Sequence, residues 1–402
     1  MSKFRFLQSE NLHSLLYAYV VCIAFINYTV SRLLGISALL IHMGVFGLFF
    51  VYKLPSIKQM KLHPICFLYV ALIFFIFFST ENSDMGLFRF SFNVAVPLAI
   101  GLFAINTEKF LRYVTYASLV MLILIVPIFN ELNRLSLDEA SVMGVSYAII
   151  PVIIAGFLHF VYYRKHSNRI LKFCYLIDLL FVALVFLNSN RGVALTLFIA
   201  LLFVYIKNPK RINSSGNVTL RTIFVCIVAV VAYLYLYDIL EFIGILLKRF
   251  NIEVDFISKT LRLKNAGNID NGRGDITQYV MENISKSPIW GHGISTIYYN
   301  SGGKIIYPHN FILQLFYDGG IILAIPTLFV LCKATMNIFA ERNKDQMVYL
   351  LFFAVVCIPK MMFSTDMWTN SIFWLFVASL FNHNKTLHSN QNNLNSKECE
   401  QQ

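Results

Sequence analysis

Two arginines and one histidine stand at borders between polar and apolar stretches of this sequence. Arg191 lies in LNSNRGVAL, Arg273 in NIDNGRGDITQY and His309 in YPHNF. An arginine at the edge of an apolar span is costly unless it faces a water-filled cavity or an anion. A histidine has an unshifted pKa of about 6.5, so it can act as a base or an acid near neutral pH. The chemistry indicated is anion binding and proton transfer.

Each of the three residues also has a purely structural interpretation. Arg191 could extend its side chain to lipid headgroups. Arg273 could be a solvated surface charge, and His309 could cap the helix that follows Pro308. His292, in the glycine-rich run GHGIS, is a weaker candidate. We find no metal-binding, nucleotide-binding or dinucleotide-binding signature in a suitable context.

Composition identifies the elements that must position these residues. Hydrophobic residues are 57% of the chain and charged residues 13%, against about 45–50% and 25% in soluble proteins. The chain is therefore an integral membrane protein. Its apolar runs have the length of membrane helices rather than of barrel strands, which predicts an all-α fold. The net charge of +12 is explained by Lys and Arg in loops on one side of the membrane, so no nucleic acid is expected as a partner.

About twelve transmembrane helices follow from the apolar runs. We place them at about 12–28, 33–52, 64–79, 87–105, 110–130, 142–163, 170–188, 192–207, 222–247, 309–332, 346–363 and 366–381. This divides the chain into helices 1–9 (1–247), one large polar loop between helices 9 and 10 (248–308), helices 10–12 (309–381) and a disordered cytoplasmic tail (382–402).

The distribution of Lys and Arg predicts the orientation. One alternate set of loops is basic, and the other carries mostly acidic residues such as Glu81, Asp84 and Asp138. By the positive-inside rule the basic set and both termini are cytoplasmic. The large loop then faces the periplasm. The basic set is Lys53, Lys58, Lys61, Lys109, Arg112, Arg164, Lys165, Arg169, Lys207, Lys210, Arg211, Arg221, Lys333, Arg342 and Lys344.

Within the large loop, the pattern predicts one short helix. Asn-Gly and Asp-Asn-Gly form turns, and Asp275 can start a helix that runs to about Ser285. Ile276, Val280 and Ile284 would share one face, which could lie on the membrane surface.

Together these segments resemble one family pattern. SNRG follows a span, GRGD and SPIWGHG lie in the large loop, and YPHNFILQLFYDGG opens the next span. Their order and placement resemble the bacterial O-antigen polymerase and O-antigen ligase superfamily, over motifs at about 187–196 and 270–325. One departure is Ile276-Thr277 after GRGD, where relatives often carry an aromatic residue; it weakens the substrate detail.

The resemblance implies a metal-independent glycosyltransferase of the membrane-embedded C type, with no cofactor. Its donor would be a glycan on undecaprenyl diphosphate at the periplasmic face of the bacterial inner membrane. Arg191 and Arg273 would bind the diphosphate through their guanidinium groups, and His309 would be the base. Asp275, Tyr307 and Asn310 would orient these groups.

The resemblance leaves the acceptor open. We favour a polymerase, which extends another lipid-linked repeat unit, over a ligase, which transfers the glycan to lipid A-core. A polysaccharide transporter or flippase is a third hypothesis, although we find no internal repeat of the kind such proteins show. A structural scaffold would leave the two arginines and the histidine unexplained. Expected partners are the lipid-linked oligosaccharide, membrane lipids and a chain-length regulator protein.

Overall fold

A computed structural model describes most of the predicted spans and the second half of the large loop. The regular secondary structure in the described residues is entirely helical, as composition predicted. The predicted tail from 383 onward, the basic loop at 207–221, the first part of the span at 222–247 and much of 250–272 lie outside the described residues. The described residues are 10–33, 35, 37–57, 64–81, 83–103, 105–134, 139–188, 191–206, 236–249, 257–258, 261–262, 265, 273–340, 343–363 and 365–382.

The first part of the chain forms apolar helices, and a glycine separates two of them. Gly35 has a φ of +63°, a conformation that glycine adopts easily after a helix end. The predicted span at 33–52 therefore starts later, at Ala38. The helices are α1 (Glu10–Val21), α2 (Ile23–Leu33), α3 (Ala38–Ile57), α4 (Pro64–Ser79), α5 (Leu87–Phe90) and α6 (Val96–Gly101), the last two joined by a π-helical turn at Ser91–Ala95.

The middle of the chain supplies four long helices joined by short connections. They are α7 (Thr107–Arg134), α8 (Glu139–Tyr163), α9 (Arg169–Asn188) and α10 (Arg191–Ile206). Consecutive members contact one another, and α8 also contacts α10. Short loops between contacting helices make antiparallel neighbours, so α8 starts at the end of the bundle where α9 stops and α10 begins.

The last part contains the polar loop and the closing helices. The helix predicted from Asp275 to Ser285 is present as α12, shifted by two residues at its start. The span predicted at 366–381 begins only at Ser371, because residues 365–370 form a short polar segment with one 3₁₀ turn. The helices are α11 (Leu236–Lys248), α12 (Arg273–Ile284), α13 (Ile297–Asn300), α14 (Phe311–Ala340), α15 (Lys344–Phe363) and α16 (Ser371–Asn382).

Burial separates a protein-facing interior from lipid-suited surfaces. The interior is aromatic: Phe110, Phe352, Phe353 and Phe376 are almost fully buried and stack or meet edge to face. Large apolar side chains on α3, α4 and α9 remain exposed, which suits a surface that faces hydrocarbon. Within the described ranges, three stretches are long and apolar enough to cross a membrane, Gly144–His166, Phe311–Ile338 and Lys344–Met362. The count of twelve stays a prediction.

Candidate functional site

The structure brings Arg273, Tyr307 and His309 together at one end of the bundle, which we call the site end. The rings of Tyr307 and His309 lie with their centroids 4.2 Å apart. Burial raises the pKa of Tyr307, the positive charge of Arg273 opposes that rise, and Asp366 and Tyr147 add to it. His309 is the candidate base and Arg273 the candidate cation. They are far apart in the sequence, but both have Tyr307 as a neighbour.

His309 holds an unusual backbone conformation. Its φ is +56°, and among the described residues the only other non-glycine with a positive φ is Ser295. An L-residue in this region costs roughly 1–2 kcal/mol, and such strain concentrates at functional sites. The turn sets the imidazole beside Tyr307 just before α14 begins.

Asn310, which we expected to orient the substrate, caps α14. Its Oδ1 accepts hydrogen bonds from the backbone N–H groups of Ile312 (3.0 Å) and Leu313 (3.3 Å). These N–H groups have no partner inside the helix, so a side-chain cap of this kind is favourable. The hypothesis that His309 provides this cap is therefore wrong, since the neighbouring residue provides it.

Asp275 lies in the first turn of α12 with an exposed side chain. A carboxylate there is favourable because the N-terminus of a helix carries partial positive charge. The apolar face predicted for this helix is present, but it does not lie on lipid. Val280, with Ile276 and Ile284, packs on Tyr317 and Leu313 of α14, so α12 is held against the bundle by protein contacts.

Arg191 is the first residue of α10. Because α10 begins where α8 begins, and Tyr147 near the start of α8 acts on Tyr307, the chain path places residue 191 at the site end. Its side chain lies outside the described part of the structure. Its part in the site stays a prediction.

Sequence reasoning missed Asp366. Its Oδ1 accepts hydrogen bonds from Gln314 Nε2 and from the backbone N–H of Trp368, the latter at 3.1 Å. Burial raises its pKa, while these hydrogen bonds lower it. The amide of Gln314 also accepts from the backbone N–H of Met367 at 3.1 Å. The feature of the sequence that could have indicated Asp366 is the short polar run STDMWTNS between two apolar spans.

The segment SPIWGHG serves a different purpose from the catalytic candidates. Helix α14 leaves the helical conformation at Gly320, with φ 58° and ψ −159°, which frees backbone groups roughly 14 Å along the helix from its start. Residues 288–293, which we call the brace, bond those groups. The bonds run from His292 N to Tyr317 O (2.7 Å), Gly293 N to Asp318 O (2.8 Å), Ile321 N to Pro288 O (2.9 Å) and Ile322 N to Ile289 O (3.4 Å).

The brace also explains the position of His292. His292 donates from Nε2 to the carbonyl oxygen of Asn283 at 2.8 Å, and its ring lies 4.8 Å from that of Tyr317. This contact is structural and fits the lower weight given to His292. Irregular backbone at membrane depth is tolerated where protein covers it, and here the brace covers it.

Among the described residues, no group of three or more His, Cys, Asp or Glu side chains is arranged to hold a metal ion. The site end offers a cation, a histidine, a tyrosine and a carboxylate around a border between polar and apolar surfaces. That set can bind an anion and move a proton.

Comparison with known proteins gives one match. Residues 176–328 match a family described as O-antigen ligase. The matched stretch contains Arg191, Arg273, His309 and the brace, and it ends before Asp366. No curated protein and no solved structure matches the chain.

Proposed function

We propose that this chain is an O-antigen polymerase, and the match of residues 176–328 to a family described as O-antigen ligase supports membership of that superfamily. It would transfer a glycan from undecaprenyl diphosphate onto another lipid-linked repeat unit at the periplasmic face of the bacterial inner membrane. The observation that carries the proposal is the meeting of Arg273, Tyr307 and His309 at one end of an apolar helix bundle.

The proposed reaction is a displacement at the anomeric carbon of the donor sugar. The acceptor hydroxyl oxygen forms the new bond to that carbon, and the bond from the carbon to the diphosphate oxygen breaks. The diphosphate leaves with the bonding electron pair. Guanidinium groups of Arg273 and Arg191 stabilise the negative charge on the leaving oxygen, because they bind phosphate oxygens through paired hydrogen bonds.

The acceptor hydroxyl loses its proton to His309. A neutral imidazole can accept it, and general-base assistance contributes about 10²–10⁴-fold. The charge of Asp366 raises the pKa of Tyr307, and the ring of His309 lies against the ring of Tyr307. An ionised carboxylate in that position favours the imidazolium formed by proton transfer. Asp366 therefore assists the base without touching the reacting atoms.

The ligase alternative is favoured by one observation, the description of the matched family. A ligase would use the same donor and the same residues but would transfer the glycan to lipid A-core. The transporter hypothesis has no support from the comparison. A polymerase would also work with a chain-length regulator protein, which would contact periplasmic surfaces such as the large loop.

A deletion strain examined by lipopolysaccharide gel separates polymerase from ligase. We expect core carrying a single repeat unit, because one unit can still be ligated when polymerisation is lost. Core alone, with long polymer retained on the lipid carrier, would assign the chain as the ligase and contradict the proposal.

Arginine variants test the diphosphate step itself. Arg191→Ala and Arg273→Ala should each abolish or severely reduce transfer while the protein still reaches the membrane. Lys at either position should rescue only partly, because it offers a point charge without the planar fork. Full activity of both Ala variants would remove the arginines from the mechanism.

A further inference from the structure

Lys360 places an additional cation close to the candidate site. It lies in the last turn of α15, half-buried, and its Nζ lies 5.5 Å from the centroid of the Tyr147 ring. Within the described part of the chain, Lys360 makes no hydrogen bond or ion pair. Among the described residues, the Tyr147 ring and the Cys357 thiol one turn earlier act on the ammonium, and no carboxylate does.

The tyrosine under Lys360 connects it to the site. Tyr147 acts electrostatically on Tyr307, as do Arg273 and Asp366. Tyr307 in turn lies against His309. Lys360 is therefore connected to this group of side chains through Tyr147.

The opposite ends of the same two helices provide a natural comparison. There Lys344, the first residue of α15, lies with Nζ 4.2 Å from the ring centroid of Tyr163 on α8. Asp345 completes that contact: its Oδ1 is 3.9 Å from Lys344 Nζ and accepts a hydrogen bond of 2.6 Å from the Tyr163 hydroxyl. Both lysines lie on tyrosines of α8, but in the part of the chain that the structure describes a carboxylate balances the charge of Lys344 and none balances that of Lys360.

An ammonium inside a membrane bundle is costly and is usually paired or placed toward a substrate pathway. A ring face compensates it only in part. Because the described protein groups supply no anion to Lys360, the missing anion is expected from a ligand. An anion that arrives on a lipid would reach this position from the apolar side of the site.

We propose that Lys360 binds the diphosphate of the lipid-linked substrate, as a further cation beside the site arginines. This inference rests on the proposed function, because it takes the ligand to be a polyprenyl diphosphate. Lysine is suited to this task as a compact point charge that can follow the phosphate oxygens on a flexible stem.

Binding of undecaprenyl diphosphate to the purified full chain in lipid nanodiscs tests the proposal. Lys360→Met keeps the length and apolar stem of the side chain and removes the charge. We expect its Kd for undecaprenyl diphosphate to rise by roughly ten- to a hundredfold, the usual effect of losing a charge-assisted contact. Lys360→Arg should stay closer to wild type. Lys344→Met, which removes the matching lysine–tyrosine contact at the other end, should bind within about twofold of wild type.

The outcomes separate the two proposals. If wild type does not bind undecaprenyl diphosphate, the proposed function fails. If wild type binds and Lys360→Met binds equally well, the proposed function stands and the role of Lys360 is overturned. An equal loss in Lys344→Met would also overturn it, because the effect would then come from helix packing.

Competition identifies the source of the anion. Undecaprenol, which lacks phosphate, should not displace the bound lipid. Displacement by an equal concentration of inorganic pyrophosphate would assign the position to a free diphosphate. Displacement by phosphatidylglycerol would assign it to bulk lipid headgroups. Either result contradicts the proposal.

A measurement on the wild-type protein covers the case in which Lys360→Met does not fold. Lysine amines are labelled with a small amine-reactive reagent and located by mass spectrometry. Undecaprenyl diphosphate should protect Lys360 and leave Lys344 labelled as before. Unchanged labelling of Lys360 at saturating lipid would overturn the inference.

Discussion

Gly320 and Ile289 meet backbone to backbone: a Cβ at position 320 would lie 2.2 Å from the carbonyl oxygen of Ile289. Gly291 also approaches α14 too closely for a side chain, since a Cβ there would lie 2.6 Å from backbone atoms of Asp318, Gly319 and Gly320. The segments SPIWGHG and YDGG, which look like two separate motifs in the sequence, are therefore the two halves of one contact. That contact stabilises the break in α14 and fixes the loop that carries Arg273 against the helix that follows His309.

Gly291→Ala should destabilise the protein strongly. The new methyl group would overlap the backbone of α14 and carry the strain of a positive φ, +71°. Gly302→Ala is the matched control, because Gly302 has a φ of +65° and no atom within 4 Å of its Cβ position. We expect a loss of about 1–2 kcal/mol for Gly302→Ala and clearly more for Gly291→Ala, measured by thermal unfolding in detergent.

Equal losses in the two variants would mean that only backbone strain matters and that the brace gives way easily. Activity adds a second criterion. Gly302→Ala should retain transfer near the wild-type rate at temperatures where it is folded, whereas Gly291→Ala should lose transfer because the loop no longer sits on α14.

His309→Asn separates chemistry from backbone geometry. Asparagine tolerates a positive φ better than most residues, so this variant keeps the turn while removing the base. We expect transfer of a lipid-linked repeat unit to fall by about 10²–10⁴-fold, with donor binding retained because Arg191 and Arg273 remain. His309→Arg should not restore activity, because a guanidinium cannot take up a proton. Near-wild-type turnover of His309→Asn would remove His309 from the mechanism.

Asn310→Ala provides the complementary result for the neighbouring position. It removes the cap of α14, and caps of this type contribute roughly 1 kcal/mol. We expect a lower unfolding temperature with a much smaller effect on turnover than His309→Asn has. A larger loss of turnover, with stability unchanged, would instead support the expected role of Asn310 in orienting the substrate.

Asp366→Asn should stabilise the protein at neutral pH while lowering its activity. Burial raises the pKa of Asp366 in the folded state above the usual value of about 3.9. The protonated form is therefore favoured by folding. The protonated carboxyl makes its full contribution to the free energy of unfolding below about pH 4. That contribution is lost as the pH rises through the raised pKa of Asp366. Asparagine resembles the protonated carboxyl and removes that loss.

Unfolding temperatures measured from pH 4 to pH 8 check this prediction. Asp366→Asn should exceed wild type by about 2–4 °C at the upper end for each kcal/mol gained, and the two curves should meet near pH 4. Transfer should fall by about ten- to a hundredfold if the carboxylate assists His309. Unchanged transfer would mean that Asp366 has only a structural role, through its hydrogen bonds with Gln314 and Trp368.

Single cysteines at Ser301 and Ser214 test the predicted orientation. An impermeant thiol reagent applied to intact cells should label position 301 in the large loop and leave position 214 unlabelled until the membrane is opened. The parent chain serves as the control for labelling of native thiols, of which Cys332 is the exposed one among the described residues. Labelling of both new cysteines from the same side would overturn the orientation derived from Lys and Arg.

The sequence alone was sufficient for the membrane class and the helical fold. These follow from local properties. A chain in hydrocarbon must form its backbone hydrogen bonds within each helix, and the length of each apolar run can be read directly from the sequence. The motif residues Arg191, Arg273 and His309 were likewise candidates from the sequence, because the order of their motifs resembles a family pattern, and their roles stay predictions. The match of residues 176–328 to a family described as O-antigen ligase agrees with the resemblance that their motifs carry.

Only the tertiary structure decided which distant residues meet. A span that is apolar on every side gives no periodicity from which to tell its buried face, so nothing local indicated that Lys360 of α15 would lie on Tyr147 of α8. Asp366 and Gln314 pair across a long separation in sequence. The break at Gly320 depends on hydrogen bonds from another segment. Such contacts arise from packing between helices, and packing is a property of the assembled bundle rather than of any one stretch.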